Sequence, residues 1–180
     1  MTVQVDRITI KKDGIYISSR ESKKESFKST KNEMYSKIIE LLGGRAAEKI
    51  VLDLRSNGGG LMDEAIKIVS LFVPKGTLVV SQKGRNTAVN AEYRTMDEPV
   101  DTLIPLMVMV NSGSASSSEI VAGAIQDLDR GTIIGTRTFG KGLVQSMRSV
   151  GYDGFVKLTI AKYYTPSGRC VQAIDYSNRN

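Results

Sequence analysis

The order of apolar patterns along the chain predicts an α/β domain, with a mixed, largely parallel sheet, crossover helices and further strands toward the C-terminal end. Two units carry the prediction. KIVLDLR, Lys49 to Arg55, is a short, mostly apolar run that leads into SNGGG and then a helical pattern. PLMVMVN, Pro105 to Asn111, leads into a Gly/Ser turn, a second helical pattern and the strand TIIGT. Strands alternating with helices imply right-handed crossovers between parallel neighbours. The bulk properties agree, since 180 residues with 41% hydrophobic and 24% charged residues suffice for one hydrophobic core.

At the N-terminal end, VDRITIKKDGIYIS alternates apolar and polar residues around Lys12, Asp13 and Gly14, which predicts two short strands joined by a turn. Arg20 to Ser29 is rich in Lys, Ser and Glu and reads as a surface connection. Met34, Ile38, Leu41 and Leu42 have amphipathic helical spacing, with Gly43 and Gly44 as a stop. Residues 1–33 are thus expected as N-terminal strands and a surface connection belonging to the core, and 34–180 as its main body.

Leu61, Ala65, Ile66, Val69 and Phe72 predict the helix after the glycine turn, ended by Pro74. Ser81 to Asp101 is polar and without a clear period, so it is expected as a long loop or an irregular hairpin. Ile120, Val121, Ala124, Ile125 and Leu128 mark the helix after the serine-rich turn. LVQSMRSV and FVKLTIAKYYT read as closing strands, with Gly151 to Gly154 as their turn.

Composition narrows the chemistry. The chain contains no His, which excludes Ser-His-Asp and Cys-His mechanisms and removes the commonest metal ligand. Its one cysteine, Cys170, has no partner for an internal disulfide or a zinc site and is expected as a small packing residue near a strand end. No cofactor and no metal are expected. The formal charge of +6 comes from scattered Lys and Arg, which a solvated surface accounts for without nucleic acid. No apolar run is long enough to span a membrane.

Five serines fall within NSGSASSSEIVAGAIQD, between an apolar strand and a helix start, where backbone N–H groups lack intrahelical partners. A serine there is placed to attack a carbonyl whose oxyanion those groups hold. Ser116 to Glu119 also reads as a capping box, a purely structural use of the same residues. A serine nucleophile needs a base, and Lys141, between Gly140 and Gly142, is the best candidate in a chain without His. A lysine serves only when neutral, which burial or a nearby cation brings about. An exposed turn lysine is the alternative reading.

GTRTFGK matches the first seven positions of a P-loop, but Gly142 replaces the Ser or Thr of that motif, and LVQSM alternates like a strand where a P-loop opens a helix. RSNGGG, Arg55 to Gly60, allows a sharp bend that exposes N–H groups at the carboxyl edge of the sheet, where α/β proteins bind ligands. Arg55 fits a structural tie between loops and a role in orienting a site about equally well.

Together, DLRSNGGG, VNSGSASSSEIVAGAIQD, GTRTFGKGLVQ and YYTPSGR resemble, in order and spacing, the carboxy-terminal processing (tail-specific) proteases from about Lys49 to Arg169. The resemblance implies a crotonase/Clp-protease-like core and a serine peptidase with a Ser-Lys dyad: Ser116 as nucleophile, Lys141 as base and Gln145 as the residue orienting the lysine. It implies an oxyanion hole from the N–H groups of Gly60, or its neighbour Gly59, and Ser117. Arg55, Glu119, Asp127 and Thr138 fall on positions that resemble supporting polar residues.

The implied substrate is an unfolded or flexible polypeptide near its C-terminus, and the implied location is the periplasm or cell envelope. Relatives usually carry a PDZ module, which nothing in the first 48 residues is long enough to hold, so a separate PDZ or adaptor partner is considered. Position 58 is Gly where many relatives have Pro. Ser117 replaces the usual Ala and is expected to leave the hole intact. A non-catalytic peptide-binding or scaffolding relative of the same fold is the alternative, and an acyl-CoA enzyme of crotonase-like architecture is a more distant one.

Overall fold

The computed structural model describes residues 6–11, 14–19, 27–29 and 49–174, the first three stretches as backbone strands only. Among the described residues ten strands fall into two sheets. In the larger, β1 (Asp6–Lys11), β2 (Gly14–Ser19), β3 (Phe27–Ser29), β4 (Ile50–Asp53), β7 (Leu106–Val110) and β8 (Thr132–Gly135) lie in the order β3-β2-β1-β4-β7-β8. Pairing is parallel from β1 through β4 and β7 to β8, and antiparallel at β1-β2 and β2-β3. The stretch expected as a connection before Ser29 therefore includes an edge strand. The helix expected from Met34 to Leu42 lies outside the described residues.

The smaller sheet is antiparallel, in the order β6-β5-β10-β9, from β5 (Leu78–Lys83), β6 (Ala91–Arg94), β9 (Leu143–Gly151) and β10 (Gly154–Tyr164). A single sheet is the simplest expectation from the alternation of elements. Here the chain leaves the parallel sheet twice, and the polar stretch after Ser81 becomes the β5-β6 hairpin with a short 3-10 turn at Thr87–Val89. The β9-β10 turn places Tyr152 and Asp153 at positive φ, 46° and 56°, the form that suits a tight hairpin.

Helices α1 (Met62–Ser70) and α2 (Ser117–Asp127) follow β4 and β7. Ala65, Ile66, Ile68 and Val69 of α1 and Ile120, Val121, Ala124 and Ile125 of α2 are buried against Leu52, Leu54 and Val108 of the sheet. The α1 helix stops at Ser70, before the last apolar residue of its pattern, and Phe72 is buried from the turn that follows. At the start of the same pattern Leu61 is half exposed. Cys170 corrects an expectation as well: it is exposed rather than packed, and bridges antiparallel to Tyr164 through its backbone. Burying Leu54, Ile68, Val108 and Ile125, each contributing about 1.5–3 kcal/mol, fixes the carboxyl ends of β4 and β7 side by side. The glycine turn and the serine turn leave from those ends.

Candidate active site

β4 and β7 are parallel neighbours in register Asp53 to Met109, so the turns beyond them meet at one edge. Asn111 joins them. Its side-chain Oδ1 accepts the N–H of Ser56 at 2.7 Å and of Gly113 at 3.0 Å, while its Nδ2 donates to Ser56 Oγ at 3.2 Å. Ser114, fully buried, donates from Oγ to Leu54 O at 2.6 Å and accepts Asn111 N–H at 3.0 Å. Ala115 N–H completes the seam by donating to Asn57 O at 2.9 Å. Sequence reasoning passed over Asn111 and gave Ser114 no role. An Asn directly after a buried strand, followed by a turn, was the available signal.

Ser116 stands at the sharp corner between this turn and α2, with φ 57° and ψ −121°. A non-glycine residue at positive φ is costly, by about 1–3 kcal/mol, and is held only by its surroundings. Here the glycine turn does the holding. A Cβ on Gly59 would lie 2.5 Å from Ala115 O, 2.8 Å from Ser117 N and 2.9 Å from Ser116 Cβ, so only glycine lets the two turns touch. Ser117 is the first residue of α2, so its N–H has no intrahelical acceptor. Gly60 N–H donates to Ser117 Oγ at 2.6 Å, and Gly59 N–H to Asn57 Oδ1 at 3.0 Å. The serine at 117 is thus engaged with the glycine turn, not the bystander that its small size suggests.

Glu119 organises the other side of the corner. Only 6% exposed, its carboxylate accepts Ser116 N–H at 2.9 Å, the glutamate half of the expected capping box. It also accepts the N–H of Gly140 at 2.6 Å and of Lys141 at 2.8 Å. A residue considered for capping its own helix is therefore also the anchor of a distant segment. Phe139 N–H donates to Ser114 O at 3.0 Å, Ala173 N–H to Gly140 O at 3.0 Å, and Gly142 N–H to Gln172 Oε1 at 3.0 Å. The glycines on either side of Lys141 permit this clamp: a Cβ on Gly140 would lie 2.3 Å from Ala173 Cβ, and one on Gly142 2.3 Å from Gln172 N.

Lys141 itself is exposed, and β9 begins after it, at Leu143. Gln145 lies on β9 opposite Thr159 and is also exposed. Lys141 therefore precedes the strand that carries Gln145. Among the described residues no hydrogen bond joins the side chains of Ser116, Lys141 and Gln145, although the backbones carrying Ser116 and Lys141 converge on Glu119.

The remaining polar residues divide. Arg55 binds Asp53 two ways, Nε to Oδ1 at 3.0 Å and Nη2 to Oδ2 at 2.9 Å, with its guanidinium 48% exposed and Asp53 6%. That hydrogen bond and the carboxylate's charge raise the arginine pKa further. Asp127, 4% exposed at the end of α2, accepts Ser167 N–H at 3.0 Å and Ser167 O–H at 2.6 Å, and pairs with Arg169. Burial acts to raise its pKa, but the hydrogen bonds from Ser167, Thr165 and Arg169 together hold it below the ordinary carboxylate value. These bonds pin the TPSGR turn to α2. Thr138 lines, with Glu119, Gly140, Arg137 and Arg169, a cavity of about 420 Å³. Among the described residues no group of three or more Cys, Asp or Glu is arranged to hold a metal ion.

The family model described as Peptidase family S41 matches residues 23–176. A carboxy-terminal-processing protease of Bartonella bacilliformis is 49% identical over 126 residues, which cover 69% of this chain and 28% of that protein. A probable CtpA-like serine protease of Staphylococcus saprophyticus is 37% identical over 93% of this chain and 36% of its own length. Among solved structures, a photosystem II D1 C-terminal processing protease superposes with a TM-score of 0.71 at 34% identity, covering 78% of this chain and 36% of that one. The chain thus spans about a third of the length of these proteins. The two corners and the strap that carries Lys141 fall within the matched residues.

Proposed function

This chain belongs to peptidase family S41, and from that premise we propose that it is the catalytic core of a serine endopeptidase using Ser116 as nucleophile and Lys141 as base. The observation that carries the reading is the corner at Ser116. It stands at positive φ at the N-cap of α2, faces a glycine turn too close for any side chain, and shares Glu119 with the backbone of Lys141.

In this mechanism Ser116 Oγ attacks a peptide carbonyl as Lys141 Nζ takes its proton. The lysine then gives that proton to the leaving amine, and water hydrolyses the acyl-enzyme. The N–H groups of Gly60, or Gly59, and Ser117 stabilise the oxyanion, each contributing about 3–4 kcal/mol. Lys141, exposed here, serves as the base only in its neutral form. Gln145 orients the lysine. Glu119 holds the segment that carries Lys141, Thr138 lines the cavity beside it, Arg55 steadies β4 through Asp53, and Asp127 fixes the TPSGR turn.

The substrate in this reading is a flexible protein tail cut near its C-terminus, recognised with the help of a PDZ or adaptor module, at the periplasmic side or cell envelope. The names of the relatives and the likeness of the fold to a C-terminal processing protease support it. Among the described residues no helix is long and apolar enough to cross a membrane.

The exposure of Lys141 favours one second reading, a relative that binds peptides without cutting them. An alkyl fluorophosphonate separates the two. Covalent labelling that Ser116→Ala abolishes, with a rate that rises with pH as the base loses its proton, supports the protease. No labelling, or a rate flat from about pH 6 to about pH 9, supports the binding relative.

A further inference from the structure

One hydrogen bond at the corner has no use in the mechanism as described. Gly60 N–H, an expected oxyanion donor, gives its single proton to Ser117 Oγ at 2.6 Å. Ser117 is 1% exposed, so this hydroxyl lies inside the corner. The glycine turn lies close against the start of α2, where a Cβ added at Gly59 would fall within 3 Å of Ala115 O, Ser117 N and Ser116 Cβ.

Resting on the protease reading, we infer that the Ser117 hydroxyl is an internal substitute for the oxyanion: it occupies Gly60 N–H in the free chain and must surrender it when a carbonyl arrives. A serine side chain has three staggered positions about χ1, so rotation of Ser117 releases the donor while the backbone stays in place. Alanine at 117 has no oxygen to compete. The same bond ties the glycine turn to α2, so its two effects are opposed: it supports the fold and holds back acylation. Ser117 is by this account a positioning residue that sets when the hole opens.

The test is made on the full chain with an alkyl fluorophosphonate. Ser116 Oγ forms a bond to phosphorus, fluoride leaves, the hydroxyl proton passes to the base, and the phosphonyl oxygen enters the hole. Ser117→Ala is expected to label faster by roughly tenfold, a fraction of the 10²–10³ that one donor commands, and to unfold at a lower temperature. Ser117→Thr keeps the hydroxyl and is expected to label no faster than the parent.

Amide hydrogen exchange at Gly60 reads the bond without any chemistry, and should quicken in Ser117→Ala relative to its neighbours. A parent labelled at Ser116 with a Ser117→Ala variant no faster overturns this inference and leaves the protease reading standing. An unlabelled parent overturns both. Unchanged Gly60 exchange in Ser117→Ala overturns the competition itself.

Discussion

Ser116 and Lys141 are carried by one carboxylate oxygen: Glu119 Oε2 accepts the backbone N–H of Ser116 at 2.9 Å and of Lys141 at 2.8 Å, while Oε1 takes Gly140 N–H at 2.6 Å. The proposed nucleophile and base are thus positioned through their main chains before either side chain acts. That arrangement makes Glu119 a positioning residue for both segments.

Glu119→Gln keeps the size of the side chain but turns an NH₂ group toward backbone N–H donors. With up to three bonds to a charged acceptor weakened or lost, the variant is expected to lose about 2–4 kcal/mol of stability. Fluorophosphonate labelling should fall more than tenfold. Urea unfolding and labelling rate, measured on the same preparation, check both, and an unaltered rate would remove Glu119 from the positioning of the site.

Gly58 and Gly59 offer a paired control one residue apart. A Cβ on Gly58 meets nothing within 4 Å, whereas Gly59 has φ 83° and would clash with Ala115 O. Gly58→Ala is therefore expected to stay within about 0.5 kcal/mol of the parent, and Gly59→Ala to lose more than about 2 kcal/mol. Thermal melting of the two variants decides it.

Ser114→Ala removes a buried hydroxyl that bonds both turns, taking away the acceptor of Asn111 N–H and leaving Leu54 O with Asn57 N–H alone. The expected cost is about 1–3 kcal/mol, with slower labelling of a serine that Ser114 is not hydrogen-bonded to. Restoration of both by Ser114→Thr would show that the hydroxyl, rather than the space, matters.

Asp127 gives a pH signature. Its folded-state pKa is depressed by Ser167, Thr165 and Arg169 against the opposing effect of burial, so its contribution is fully present above the unfolded value of about 3.9. It is lost as pH falls from there through the lower folded value. The urea midpoint of the parent should drop between about pH 4 and lower pH, and Asp127→Asn should show a shallower drop from a lower starting point. Equal slopes would mean that the TPSGR turn is not held by this carboxylate.

Labelling and melting of these variants read different parts of one arrangement, and the parts were not equally legible in the residues. Ser116 and the glycine turn stand out locally, because a strand running into small residues and then a helix marks a corner whatever surrounds it, whereas Lys141 is singled out by the resemblance of its segment to the family's. The parallel pairs of the larger sheet follow from the same alternation. What lay beyond the sequence was partnership across distance. Glu119 reads as a helix cap from its spacing to Ser116, and nothing near it in sequence reveals Gly140 and Lys141 as its other donors. Arg55 was left between two uses, and the structure binds it to Asp53.

By itself the sequence narrowed the chemistry on offer, because a chain without His has no Ser-His-Asp or Cys-His set, and its ordered motifs pointed to the family. Only the tertiary structure decided how those groups are held: Asn111 and Ser114 join the turns, Glu119 gathers the strap, Ser117 takes the Gly60 proton, and Lys141 is left exposed. The reason is physical. A turn or a helix start follows from neighbouring φ and ψ preferences, whereas a buried hydrogen bond is assigned only once packing has brought every competing donor and acceptor to the same place.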